Sequence, residues 1–234
     1  MTRTETAPGG HELHTLVPSP SRFHSAPLPS LPQEGLPIDH EPSPTSTSPA
    51  PLDPVVLHAM SWSAEFSVDA VAVETGATLR LVAAATSARA VVEVGTGLGV
   101  SGLWLLAGLR EDGVLTTIDR DPDLQGMAKQ SFAAAGIAPN RIRLITGSAR
   151  TVLPRLADGA YDLVFLDVPL GDDVMAAAHR LLRPGGLVVV HRPDGALGPG
   201  WRPATLGPDL VAAVREPGIP ASAGESGPPT RSRP

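Results

Sequence analysis

The chain contains no cysteine in its 234 residues, which excludes disulfides, zinc–thiolate centres and thiol catalysis. Aromatic residues are scarce, at 3%, so a core must be built from Ala, Val and Leu. Only one lysine is present, Lys129. Positive charge is in deficit: the net charge of -6 argues against broad affinity for nucleic acid or anionic membrane. No stretch approaches the roughly 18 uninterrupted apolar residues of a membrane span, and the N-terminus lacks a signal-type apolar run. The expectation is a soluble, cytoplasmic protein whose partner is a small molecule. Apolar residues make up 42% of the chain, enough for a sizeable core in one domain.

Composition divides the chain in three. Residues 1–54 hold 12 of the 26 prolines, with many Ser, Thr and His, and are predicted to be disordered. Residues 55–192 form the expected folded domain. Residues 193–234 turn again to Pro, Gly and Ser and are predicted to be mostly flexible. One short helix is expected there, with Pro208 in its first turn and Asp209–Glu216 behind it.

Within 55–192 strands alternate with helices. Helices are predicted at Thr75–Thr86, Ser101–Leu109, Asp121–Gly136, Arg150–Leu156 and Asp173–Leu182, the last ended by Arg183-Pro184-Gly185-Gly186. Leu79, Leu81, Val82 and Ala85 give the first of these its apolar stripe, and His179 is expected to face outward from the last. Strands are predicted at Ala90–Val94, Val114–Asp119, Arg141–Ile145, Tyr161–Asp167 and Leu187–Val190. This order implies an α/β fold with a doubly wound, mostly parallel sheet. Ligands of such sheets sit at the carboxyl ends of the strands.

The run Glu93-Val94-Gly95-Thr96-Gly97-Leu98-Gly99-Val100-Ser101 follows one strand and opens a helix. Its glycines allow a sharp turn and close approach to a ligand, and the helix start offers free N–H groups. A dinucleotide fingerprint would place its third glycine at position 100, where Val100 stands. An acid at Glu93 serves no pyrophosphate, whereas a cationic cofactor can use one. Asp119 ends the next strand, 24 residues after Gly95, where a carboxylate can accept from both ribose hydroxyls. These features favour S-adenosylmethionine, with a nicotinamide cofactor, hence an oxidoreductase, as an alternative.

The middle of the chain resembles the small-molecule O-methyltransferases that include the catechol and caffeoyl-CoA enzymes, and is most similar to the bacterial members. The matching segments are VVEVGTGLGVSGLWL (91–105), GVLTTIDRDP (113–122), AAAGIAPNRIRLITGSARTVLPRL (133–156), YDLVFLD (161–167) and LLRPGGLVVVHR (181–192). The resemblance implies the class I, Rossmann-like methyltransferase fold and methyl transfer from S-adenosylmethionine to a small-molecule hydroxyl. It implies that Glu93, Gly95, Thr96, Gly97 and Gly99 line the methionine part of the cofactor. It implies that Ser101 binds the carboxylate end and Asp119 the ribose. Gly147, Ser148 and Ala149 would flank the adenine, Asp167 would lie beside the sulfonium, and Val71 would cover the cofactor. A helix cap is the plain alternative for Ser101 and Ser148, and a solvated strand end for Asp167.

Departures from that family carry equal weight. Its metal-dependent members hold a divalent cation with three oxygen-bearing side chains; the first matches Asp167, and the other two positions are His191 and Arg192 here. An imidazole and a guanidinium do not suit magnesium, so no metal is expected. The family's lysine base is Leu170 in this chain. If a general base exists, His191 is the candidate, because imidazole titrates near neutrality. The family's sheet has seven strands, and too little ordered-looking sequence follows Arg192 for that. A sheet truncated after strand five or six is expected, its open edge covered by the tail or by a partner, with which a homodimer is compatible. These losses leave a second alternative, a degenerate cofactor-binding protein without catalysis.

Overall fold

The computed structural model describes residues 52–195 and 197–216, and the expectations for 1–51 and 217–234 lie outside them. The described part opens with helix α1 (Pro54–Glu65). The Asp53 side chain caps it by accepting from the Val55 N–H at 2.8 Å, and Pro54 fills the first position, where a missing N–H is harmless. Its buried residues Val56, Ala59 and Ser63 repeat at helical spacing. Helix α1 thus begins one residue before the predicted boundary of the folded part at 55, on an Asp-Pro start signal.

Helix α2 (Val73–Ala85) buries Thr75, Gly76, Leu79 and Ala83. The expected stripe was rotated too far, since Leu81 is 67% exposed. The actual stripe includes Gly76, where a Cβ would lie 2.2 Å from the Trp104 indole, so only glycine permits this helix crossing. Strand β1 (Ala90–Val94), helix α3 (Val100–Gly108), strand β2 (Val114–Asp119) and helix α4 (Pro122–Ala134) follow. Then come strand β3 (Ile142–Thr146), a short α5 (Ala149–Val152), strand β4 (Tyr161–Leu166), helix α6 (Asp172–Leu181) and strand β5 (Leu182–His191). Strand β5 starts earlier than predicted. Arg183–Gly186 joins it with a register shift against β4 instead of forming a loop, and Arg183 donates to the Asp162 carboxylate at 2.5 Å.

The described residues end with β6 (Trp201–Gly207) and β7 (Leu210–Arg215), which corrects both the predicted truncation and the predicted helix at 208–216. The sheet has seven strands in the order β3-β2-β1-β4-β5-β7-β6. Strands β1 to β5 run parallel, while β7 is antiparallel to both β5 and β6. Alanine is a strong helix former, but propensity amounts to less than about 1 kcal/mol per residue, and pairing along the open edge of β5 outweighs it. His191 pairs with Leu210 and Val189 with Ala212, and Pro208-Asp209 make the turn between the last two strands. The open edge, expected to be covered by the tail or by a partner, is occupied by β7, which belongs to the tail.

Alternate strand residues point to opposite faces. Val91, Leu163, Phe165 and Val189 pack with α1, α2, α3 and α4 on one side. Val92, Val94, Leu166 and Val190 pack with α5 and α6 on the other. Each fully buried Val or Leu contributes about 1.5–3 kcal/mol, so both layers hold the strand ends in place. His179, expected to be solvated, packs edge-on against Trp201 with ring centroids 5.2 Å apart. Burial, and secondarily the nearby charge of Arg215, holds its pKa below the usual histidine value. No helix among the described residues is long and apolar enough to cross a membrane.

Candidate active site

A cavity of about 650 Å³ opens at the carboxyl ends of β1, β2 and β4. That size suits a small-molecule site. The glycine loop forms its floor. Gly95, Gly97 and Gly99 have φ of 100°, 49° and 89°, the left-handed region that glycine enters without strain. At Gly95 a Cβ would lie 2.6 Å from the Asp167 carbonyl oxygen, so β1 and β4 can converge only without one. At Gly97 a Cβ would meet only Val68, at 3.5 Å, and the residue lines the cavity.

Asp119 ties this loop to β2. One of its oxygens accepts from the backbone N–H groups of Thr96 at 3.0 Å and Gly97 at 3.1 Å. The other accepts from Asp121 N–H at 3.1 Å. The carboxylate still lines the cavity, with lone pairs to spare. Ser148 caps α5, accepting from Thr151 N–H at 3.3 Å, and lines the cavity with Gly147 and Ala149. Val71 is 1% exposed and lines the cavity from the connection between α1 and α2.

Glu93 is placed differently from expectation. It is wholly buried behind the loop and absent from the cavity wall. Its carboxylate accepts from Ser101 at 2.6 Å and Thr117 at 2.5 Å. Thr117 thereby uses its only proton, so the Thr96 hydroxyl, 2.7 Å away, donates to Thr117 and in turn accepts from Gln125 at 2.9 Å. A relay Gln125–Thr96–Thr117–Glu93 thus runs beneath the glycine loop. Burial pushes the Glu93 carboxyl up to about 7, opposed by the two hydroxyl donors and assisted by the charges of Asp167 and Asp119. Ser101 lines the cavity, but its hydroxyl is committed to Glu93, which leaves its backbone at the start of α3 for a ligand. Thr117 and Gln125 were not singled out in the sequence. A buried Gln on an otherwise apolar helix face was the available signal.

The far end of the cavity is ionic. The Asp167 side chain is 16% exposed, and one of its oxygens lies 2.9 Å from His191 Nδ1. His191 is buried and does not line the cavity, so the expected base stands behind Asp167 and not beside a substrate. Arg192 does line it. Its guanidinium donates to Asp69 at 2.9 Å and lies 3.7 Å from Asp167. These residues do not fit a divalent cation: a guanidinium has no lone pair to coordinate with, and its charge adjoins both nearby carboxylates, Asp69 and Asp167.

The fold and the loop define a class I, Rossmann-like methyltransferase. Residues 92–192 match the family model described as a methyltransferase domain. A protein of Mycolicibacterium vanbaalenii classed as an O-methyltransferase is 54% identical over 166 residues, spanning 70% of this chain and 73% of that one. A Mycobacterium tuberculosis protein classed likewise is 50% identical over 171 residues, with the same shares. Among solved structures, the O-methyltransferase TomG of Streptomyces achromogenes, involved in tomaymycin synthesis and crystallised with S-adenosylmethionine, superposes with a TM-score of 0.63. It is 26% identical and covers 72% of this chain and 92% of its own. The chain belongs to this O-methyltransferase family. The nicotinamide alternative finds no support in these relatives.

Proposed function

We propose that the protein transfers a methyl group from S-adenosylmethionine to a hydroxyl of a small molecule, without a metal ion. The observation that carries this reading is the glycine floor held by Asp119. It leaves open space at Gly97, and the Asp119 carboxylate that holds it, 24 residues after Gly95, lines the cavity with lone pairs left for ribose hydroxyls. When bound, that cofactor supplies an electrophilic methyl on a sulfonium. The chain's residues supply position. Gly95, Gly97 and the start of α3 receive the amino-acid portion, Asp119 receives the ribose, and Gly147, Ser148 and Ala149 border the adenine. Asp167 stands by the sulfonium, held by His191. Val71 and its neighbours exclude water. Holding nucleophile, methyl and sulfur in line supplies most of the acceleration, so loss of a lysine and of metal ligands does not remove the reaction.

The net charge of -6 supports a small-molecule partner over nucleic acid or anionic membrane. The test is calorimetry with S-adenosylhomocysteine, followed by labelled methyl transfer to a panel of hydroxyl acceptors. One-to-one binding and turnover that survives a chelator are expected. Turnover that requires added magnesium would refute the metal-free part. Binding without any turnover would favour the degenerate alternative.

A further inference from the structure

The acceptor side of the cavity holds a cation but no good base. Among the described residues lining it there is no His, Lys, Tyr, Cys or Glu. The acids near the acceptor end, Asp69 and Asp167, are carboxylates, a poor match for the proton of an alcohol or an ordinary phenol. His191 bonds to Asp167 from behind and does not reach the cavity. Arg192, by contrast, is presented deliberately. Its φ of 47° is left-handed for a residue that has a Cβ, and its N–H is held by the Asp209 carbonyl at 2.7 Å in the β6–β7 turn. The side chain lines the cavity, half exposed, with donors beyond the one that Asp69 accepts. Its pairing with Asp69, itself 82% exposed, is the weak and exchangeable kind.

Resting on the reading above, we propose that Arg192 holds the acceptor's oxygen as an oxyanion formed before it binds. The acceptors are then small molecules with an acidic hydroxyl, ionised near neutral pH without help: electron-poor phenols or carboxylic acids. The proton goes to solvent. The acceptor oxygen displaces Asp69 from the guanidinium, and its lone pair forms the O–C bond to the methyl. The C–S bond breaks with its electron pair kept by sulfur, giving a neutral ether or ester and a neutral thioether. Arg192 keeps its protons throughout. Once methylated, the oxygen no longer competes with Asp69, which retakes the guanidinium and helps release the product. Because the pairing favours the anion, its effect falls on acceptor affinity and ionisation more than on the methyl-transfer step.

The test uses the protein saturated with S-adenosylhomocysteine and 4-nitrophenol as probe, whose anion absorbs visibly. The wild type is expected to bind the anion and lower the probe's apparent pKa. Arg192→Gln should weaken binding at neutral pH by roughly tenfold or more and abolish that shift. Arg192→Lys should restore part of both. Asp69→Asn, which frees the guanidinium, should tighten binding, a change of opposite sign that misfolding cannot imitate. Competition by benzoate but not by cyclohexanol supports the anionic class and admits carboxylic acids; displacement by acidic phenols alone confines it to phenols. Uptake of neutral probe, equal binding by Arg192→Gln, or no gain in Asp69→Asn would overturn the proposal. If S-adenosylhomocysteine binds and neither anion does, only this proposal fails. If S-adenosylhomocysteine does not bind, the underlying methyltransferase reading fails.

Discussion

Where the ends of β1 and β2 meet, polar side chains are buried and committed: Glu93, Ser101, Thr117, Thr96 and Gln125 form one relay, and Asp119 grips the glycine loop. Where β4 and β5 end, His191 backs Asp167 from within, and the contact that faces the cavity is an exposed ion pair, Arg192 with Asp69. The first region resists rearrangement because each buried donor left unpaired is expensive. The second exchanges partners readily, because exposed ion pairs contribute little. One cavity thus joins a rigid end, suited to a constant cofactor, with an adaptable end, suited to an acceptor.

That contrast predicts a graded series of effects. Gly95→Ala should be the most damaging. Its Cβ meets the Asp167 carbonyl and its φ is 100°, so a loss of about 3 kcal/mol or more is expected in urea unfolding. Glu93→Gln tests the relay through pH. The carboxyl ordinarily titrates at 4.5 and in the fold at about 7, so between these values the folded state holds a proton that the unfolded chain has released. Its stabilising contribution is complete below pH 4.5 and is lost as pH rises through about 7. The stability of wild type minus variant should therefore fall between acidic and mildly alkaline pH, by roughly 3 kcal/mol at most. A difference independent of pH would contradict the buried, proton-holding state.

Asp119→Ala removes the acceptor for two loop N–H groups and should cost about 2 kcal/mol, together with most of the cofactor affinity, read by denaturation and calorimetry. The smallest effect belongs to the wet end of the scale. Arg150 pairs with Asp173 at 2.7 Å, but the side chains are 81% and 43% exposed, so Arg150→Ala should change stability by less than about 0.5 kcal/mol. A larger loss there would blur the distinction between the two regions.

Much of the rigid end was legible in the sequence, because its determinants are local: glycines needing positive φ, acids at or next to the ends of β1 and β2, an apolar run covered on both faces. The role of Glu93 was legible only in part. Its acidity was visible, but its distance from the cavity depends on Thr117 and Ser101, brought from two other elements. The β6–β7 hairpin was missed because Ala212 and Ala213 read as helix formers, while the deciding fact, the bare edge of β5, is tertiary. Helix α1 escaped for a different reason: its Asp53-Pro54 cap sits at the end of a proline-rich run whose composition masked it. The adaptable end was least legible. Asp69 and Arg192 are 123 residues apart, and no pattern near either one announces the pair.

The central claim, that the glycine floor is open for S-adenosylmethionine, is tested most directly by titrating S-adenosylhomocysteine into wild type and Gly97→Val side by side. A Cβ at Gly97 meets only Val68, at 3.5 Å, so the cost to folding comes chiefly from the φ of 49°, and an unchanged circular dichroism spectrum and urea midpoint are the controls that the variant is folded. One-to-one binding by the wild type and a loss on the order of a hundredfold in the variant are predicted. No binding by the wild type, or equal affinity in the two proteins, would contradict it.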